Sequence, residues 1–218
     1  MALEEPREGS SVEREWQFEG SLTAAEAWLA SLPAGYSAQP PVGEEIHDVY
    51  FEGEDWRLAR AGFTCRIRVT AAGTVLTLKG FGTFEEGARV RSELHQVLVG
   101  PVPPSAWPPG PVVLVLTELG GAETLAPLFG LRTQRRTWRL LAAGAPAAAV
   151  SLDRCEVYDV DGRLAGAFER VEAEAVGDAP TAARVAAALA AGAGLRPAAS
   201  SKFVTACRML GLPVPVVE

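Results

Sequence analysis

Along six segments of this chain, charged residues recur at every second position with mostly apolar residues between them. A period of two fits a β-strand and no helix, because successive strand side chains point to opposite faces. In Val12–Phe18 (VEREWQF), one face carries Glu13, Glu15 and Gln17, the other Val12, Arg14, Trp16 and Phe18. Arg66 and Arg68 stand together opposite Cys65 and Ile67, and Thr77 and Lys79 opposite Leu76 and Leu78. Further on, Arg89, Arg91, Glu93 and His95 share a face, as do Arg135, Thr137 and Arg139, and then Glu172 and Glu174.

Eight such runs are predicted: 12–19, 47–52, 64–70, 74–79, 88–99, 132–141, 149–158 and 163–175, enough to close a small barrel. Turn signals at Ala72-Gly73 and Asp161-Gly162 make several neighbours antiparallel hairpins. Helix signals fall on 21–32, capped by Ser21 or Thr23, and on 122–129, 178–191 and 197–210. Six prolines make 101–111 a loop, and the polar residues 1–11 are expected to be disordered ahead of one domain spanning 12–218. The expected fold is α+β: a closed eight-stranded antiparallel β-barrel with a charged interior and helices packed outside. Trp16, Ile67, Leu76 and Leu78 are then expected beneath Trp28, Leu29, Leu189 and Leu210.

A net charge of -7 argues against a nucleic-acid partner, since an anionic surface repels phosphate backbones at long range. Three scattered cysteines, Cys65, Cys155 and Cys207, suggest neither a disulfide framework nor a zinc site, so a reduced cytoplasmic setting is expected. The N-terminal stretch has no apolar core of a leader, and no run reaches the roughly 18 apolar residues of a spanning helix, so no membrane partner is expected. Nothing in the sequence separates a monomer from a homodimer.

Any single alternating strand is adequately explained by one packed and one solvated face. Taken together the charged faces segregate by sign, with carboxylates on the first and last strands and cations between them, Glu93 excepted. Like charges on one face repel, so clustered acids and clustered bases call for two ligands of opposite charge. Hard Mg²⁺ or Mn²⁺ takes carboxylate oxygens, phosphate oxygens bridge metal to arginine and lysine, and a metal-chelated triphosphate satisfies both.

The chain also resembles the CYTH superfamily of triphosphate tunnel hydrolases. The resemblance rests on Glu13-Arg14-Glu15-Trp16-Gln17, similar to the family's E-x-E-x-K with glutamine in place of lysine. It continues in order through Asp48-Val49-Tyr50-Phe51, Cys65-Arg66-Ile67-Arg68, Leu76-Thr77-Leu78-Lys79-Gly80, Arg91-Ser92-Glu93, Arg135, Leu152-Asp153, Glu172-Ala173-Glu174 and Ser201-Lys202-Phe203. It implies that Glu13, Glu15, Glu172 and Glu174 hold Mg²⁺ or Mn²⁺ with help from Asp153. Arg66, Arg68, Lys79, Arg91, Arg135 and Lys202 would bind phosphates, and Tyr50, Lys79 and Gln17 would stand at the reacting centre. The implied activity is hydrolysis of a small-molecule triphosphate: inorganic triphosphate, thiamine triphosphate or a nucleoside triphosphate. An adenylyl cyclase of the class IV type is the alternative, and a third is a binding module weakened by Gln17, whose amide supplies no positive charge.

Overall fold

The computed structural model describes residues 8–215. In chain order its strands are β1 (Gly9–Glu19), β2 (Tyr36–Ala38), β3 (Val42–Glu52), β4 (Phe63–Thr70), β5 (Gly73–Gly80) and β6 (Thr83–Glu85). They continue with β7 (Ala88–Leu98), β8 (Ala126–Ala142), β9 (Ala145–Tyr158), β10 (Leu164–Ala175) and β11 (Arg196–Pro197). The helices are α1 (Leu22–Ala30), α2 (Arg57–Arg60), α3 (Pro111–Glu118), α4 (Ala179–Ala193) and α5 (Lys202–Met209).

Strands pair in the order β1-β10-β9-β8-β3-β4-β5-β7, and β7 returns to β1, so eight antiparallel strands close a barrel. The short β2, β6 and β11 pair with β8, β7 and β1 respectively. Closure makes the first and last long strands neighbours, and it removes the open edges that a flat sheet would expose. Gly9–Ser11, expected within a disordered segment, instead extend β1 and pair with Leu94, His95 and Glu93 of β7. Glu8 precedes β1 outside any element, and residues 1–7 of that expectation lie outside the described residues.

Two helices form where their caps predict them. Ser21 Oγ accepts from the amide of Ala24 at 3.3 Å to start α1, and Asp178 Oδ1 accepts from the amide of Thr181 at 2.9 Å to start α4. Two expectations are corrected. No α-helix forms over 122–129: one 3-10 turn, Ala122–Thr124, leads into β8, and Gly130 is a strand residue opposite Val49 and Tyr158 rather than a helix stop. A four-residue apolar run cannot distinguish strand from helix, and here Phe129 and Leu131 bury one strand face. The helix predicted over 197–210 begins at Lys202, because Arg196 and Pro197 pair with β1 and Ser201 is the cap. One helix, α3, is unanticipated: it follows the proline loop in a β-branched stretch, VVLVLT. Pro111 at its first position presets helical backbone.

That helix explains a further difference. Trp16, Trp28, Leu29 and Leu189 do pack together between the outer wall of β1, β8, β9 and β10 and helices α1 and α4. Ile67, Leu76 and Leu78 belong to a second outer cluster, under Val112 and Leu116 of α3 and Trp107. Leu210 joins a third, where Phe203, Val204, Ala206 and Cys207 of α5 meet Tyr50, Phe129, Leu131, Cys155 and Val157. Those strand residues have the inward parity of the charged positions on the same strands, so α5 lies across one end of the barrel. The interior is therefore charged over part of its length and apolar where α5 closes it.

Candidate functional site

A cavity of about 650 Å³ opens inside the barrel. Alternation brings Glu13, Glu15, Gln17, Tyr50, Arg66, Arg68, Lys79, Arg91, Arg135, Glu172 and Glu174 to its wall, and α5 adds Lys202 from its first turn. Of the residues assigned a metal, phosphate or catalytic role, only Asp153 stands behind the lining, with no exposure at all, while Thr137 and Arg139 of the Arg135 face lie outside it. Arg89, Glu93 and His95 also line the cavity and were legible on the same alternating face of β7.

The acids gather because β1 and β10 are neighbours. Glu15 stands directly opposite Glu174, and Gln17 opposite Glu172. Like charges in such a pair repel, so each needs a cation or a proton. Arg91 clasps Glu15 and lies 2.9 Å from Glu13, and Lys79 lies 2.6 Å from Glu13 while also pairing with Glu93. Glu172 takes Arg135 at 2.7 Å and Lys202 at 2.9 Å. Burial works against the charge of Glu172, but Lys202 and Arg135 outweigh it and hold the carboxyl well below its usual range.

Glu174 differs. Among the described residues its side chain has no hydrogen bond or ion pair, and its carboxyl is pushed up to about 7 by enclosure and then by the charges of Glu13 and Glu93. Its side chain is water-accessible, yet the water belongs to a cavity walled by protein, so accessibility and poor solvation coexist. Gln17 spans the acids, its Nε2 donating to Glu15 Oε1 at 2.8 Å and to Glu172 Oε1 at 3.0 Å.

Facing the acids, Arg68 makes a two-pronged contact with Asp48, both distances 2.8 Å, and Arg66 reaches the same carboxylate at 3.5 Å and Tyr50 Oη at 3.4 Å. Asp48 is 2 % exposed; burial opposes its charge, but Arg68 and Arg66 draw it down to about 2. It is the positioning residue that the sequence reading left without a role, although its place two residues before Tyr50 put both on one face. Arg66 Nε is buried without a hydrogen-bond partner among the described residues, a donor lacking an acceptor. Asp153 plays the corresponding part for Arg135, bonded at 2.8 and 2.6 Å, and for Lys202. Tyr50 stacks on Phe129 with ring centres 4.7 Å apart, which sets its hydroxyl at the boundary between apolar end and charged cavity.

These residues fit a hard divalent cation in their chemistry: the donors are carboxylate oxygens, and Glu174 is an acid short of a positive partner. Among the described residues no three ligating side chains converge on one point, since the other three carboxylates are turned to cations. Among the described residues no helix is long and apolar enough to cross a membrane.

A CYTH domain profile matches residues 13–203. No curated protein sequence matches the chain. Among solved structures, a Bacillus halodurans protein named as an adenylate cyclase superposes with a TM-score of 0.65 at 17% identity, over 90% of this chain and 97% of that one. Hippeastrum HpAC1, named as an adenylyl cyclase with a dominant triphosphatase activity, gives 0.63 at 19% identity over 93% and 98%. The PH1819 protein of Pyrococcus horikoshii gives 0.53 at 12% over 90% and 96%. At these identities the structural matches speak for the fold.

Proposed function

The chain belongs to the CYTH domain family, and from that premise we propose that it binds a small-molecule triphosphate in the barrel cavity and hydrolyses it with Mg²⁺ or Mn²⁺. The observation that carries this reading is the facing arrangement: two carboxylate doublets on adjacent strands look across one cavity at arginines and lysines. Arg66, Arg68, Lys79, Arg91, Arg135 and Lys202 would exchange their carboxylate clasps for phosphate oxygens, and charge-assisted contacts of this kind are the strong ones.

Glu13, Glu15, Glu172 and Glu174 would hold the ion, with Asp153 supporting the site from behind through Arg135 and Lys202. When bound, a divalent ion neutralises phosphoryl oxygens and lowers the pKa of a coordinated water. The chain's own part is placement: little covalent chemistry is needed from protein groups in phosphoryl transfer, and catalysis rests on positioning and charge. Tyr50 offers a hydroxyl hydrogen bond at the floor of the cavity, Lys79 a charge shared between Glu13 and Glu93, and Gln17 an amide that orients Glu15 and Glu172. HpAC1, with its dominant triphosphatase activity, lends this reading support over cyclisation.

The test is phosphate release from inorganic triphosphate, thiamine triphosphate and ATP with each metal, alongside detection of cyclic AMP. Release that depends on metal and falls at least a hundredfold in Arg135→Ala supports hydrolysis; cyclic AMP without phosphate release overturns it. One observation favours a second reading, a binding module: Gln17 ties up two of the acids that would ligate metal. Tight triphosphate binding without release of phosphate is its signature.

A further inference from the structure

The cavity wall continues past the rim of the barrel. Strand β6 pairs with β7 through Thr83–Val90, Phe84–Arg89 and Glu85–Ala88, so Phe84 shares a face with Arg89. Arg89 lines the cavity, as do Arg91 and Glu93 further along the same strand face. Phe84 therefore continues that inner face just beyond the cavity lining, at the end of the barrel where Phe81 and Arg89 stand. On the opposite face Glu85 pairs with Arg14 at 2.5 Å, which fastens the short strand to β1 and leaves the phenyl ring on the cavity side.

The ring is 64% exposed, an unusual setting for a phenylalanine that buries nothing beneath the outer helices. One of its faces is covered: the Arg89 guanidinium stands 4.4 Å from the ring centre. Arg89 Nη1 also donates to the carbonyl of Phe81 at 2.9 Å, which holds the guanidinium in place. The result is a held aromatic platform with exposed ring surface, two strand residues outward from the phosphate-binding candidate Arg91. Two residues along β7 at roughly 3.3 Å each and one strand across at about 4.8 Å make the step about 8 Å, within reach of a group esterified to a triphosphate.

We propose that Phe84 is a specificity-determining residue, whose ring stacks on the neutral base of a nucleoside triphosphate held in the cavity; the inference rests on the triphosphate reading above. Every base offers a π-face, so stacking selects for an aromatic substituent without reading its edges. Inorganic triphosphate has nothing to stack. Thiamine triphosphate carries a thiazolium cation, which meets the charge of Arg89 beside the same ring, so the platform suits a neutral base better.

The experiment measures binding of ATP, thiamine triphosphate and inorganic triphosphate by calorimetry, with Mg²⁺, to the unmodified chain, Phe84→Ala and Phe84→Trp. The expected result is that Phe84→Ala lowers the preference for ATP over inorganic triphosphate about tenfold, in the range seen for loss of one base–aromatic stack, and that Phe84→Trp restores or raises it. An unaltered preference in Phe84→Ala overturns the inference while leaving triphosphate binding standing. So does a variant whose largest loss is for thiamine triphosphate, which would make the platform a thiamine site. Failure of the unmodified chain to bind any of the three overturns both this inference and the functional reading beneath it. An exposed ring is a safe place to truncate, so loss of fold does not confuse the outcome.

Discussion

Replacing Asp48 by asparagine tests whether the cavity's arginines are held by a buried charge. The carboxyl lies between Arg66 and Arg68, whose side chains are 14% and 25% exposed to the cavity, while its own side chain is 1% exposed. Its pKa falls from 3.8 to about 2 on folding. At about 1.4 kcal/mol per unit, that difference is worth roughly 2 kcal/mol of stability at neutral pH. Asparagine keeps the shape but leaves two guanidinium groups without their counter-charge. Water in the cavity softens this, so the total is expected at about 2–3 kcal/mol, below the range of about 3–5 for breaking a fully buried pair. For a chain of this length that lowers the melting temperature by about 5–10 °C.

The pH dependence follows from the sign of the shift. A carboxyl whose folded pKa is depressed stabilises the fold fully above its unfolded pKa and loses that contribution as pH falls through the folded value. The gap between the unmodified chain and Asp48→Asn, read by urea denaturation, should be constant from pH 8 to pH 5. Between pH 4 and pH 2 it should narrow. A gap under about 0.5 kcal/mol at pH 7, the size of an ordinary surface substitution, would refute the reasoning. So would a gap that stays constant down to pH 3.

Glu174 shifts in the other direction, so it costs stability as pH rises from about 4.5 to about 7; Glu174→Gln should unfold at a higher temperature than the unmodified chain at pH 8, with the advantage gone below pH 4.5. Metal affinity, followed by calorimetry, should weaken as pH falls through about 7, where Glu174 takes up a proton. Gln17→Lys sets a positive charge between Glu15 and Glu172 and is expected to raise phosphate release; no gain would mean that the amide already meets the site's needs. Gly192→Ala should destabilise by about 1–3 kcal/mol despite alanine's better helix propensity, because the added methyl would come within 2.3 Å of the Trp28 ring; denaturant titration decides the sign.

The strand alternation was legible in the sequence because a pleated strand has a fixed period of two, and Glu13, Glu15, Arg66, Arg68, Lys79 and Glu172 each fell on the charged side of an apolar neighbour. The same rule placed Trp16, Ile67 and Leu78 on the outer wall. Local chemistry likewise announced Ser21 as a helix cap and Asp178 as the start of a helix. It failed where a short apolar run admits two conformations: of 122–129, predicted as helix, Ala126 onward became strand, and the helix over Pro111–Glu118 went unpredicted.

Partners lay further from reach. Alternation says that Asp48 and Asp153 point inward, yet only the register of β3 against β4, and of β8 against β9, sets them beside Arg68 and Arg135. Closure of β7 onto β1 gives Arg91 to Glu13 and Glu15, a contact between residues far apart in the chain. Sequence by itself determined which face of each strand is charged, because side-chain direction is a local property of the backbone. The tertiary structure alone decided which charges meet, which one is left with a raised pKa, and that α5 shuts one end, because those depend on strand register and barrel closure.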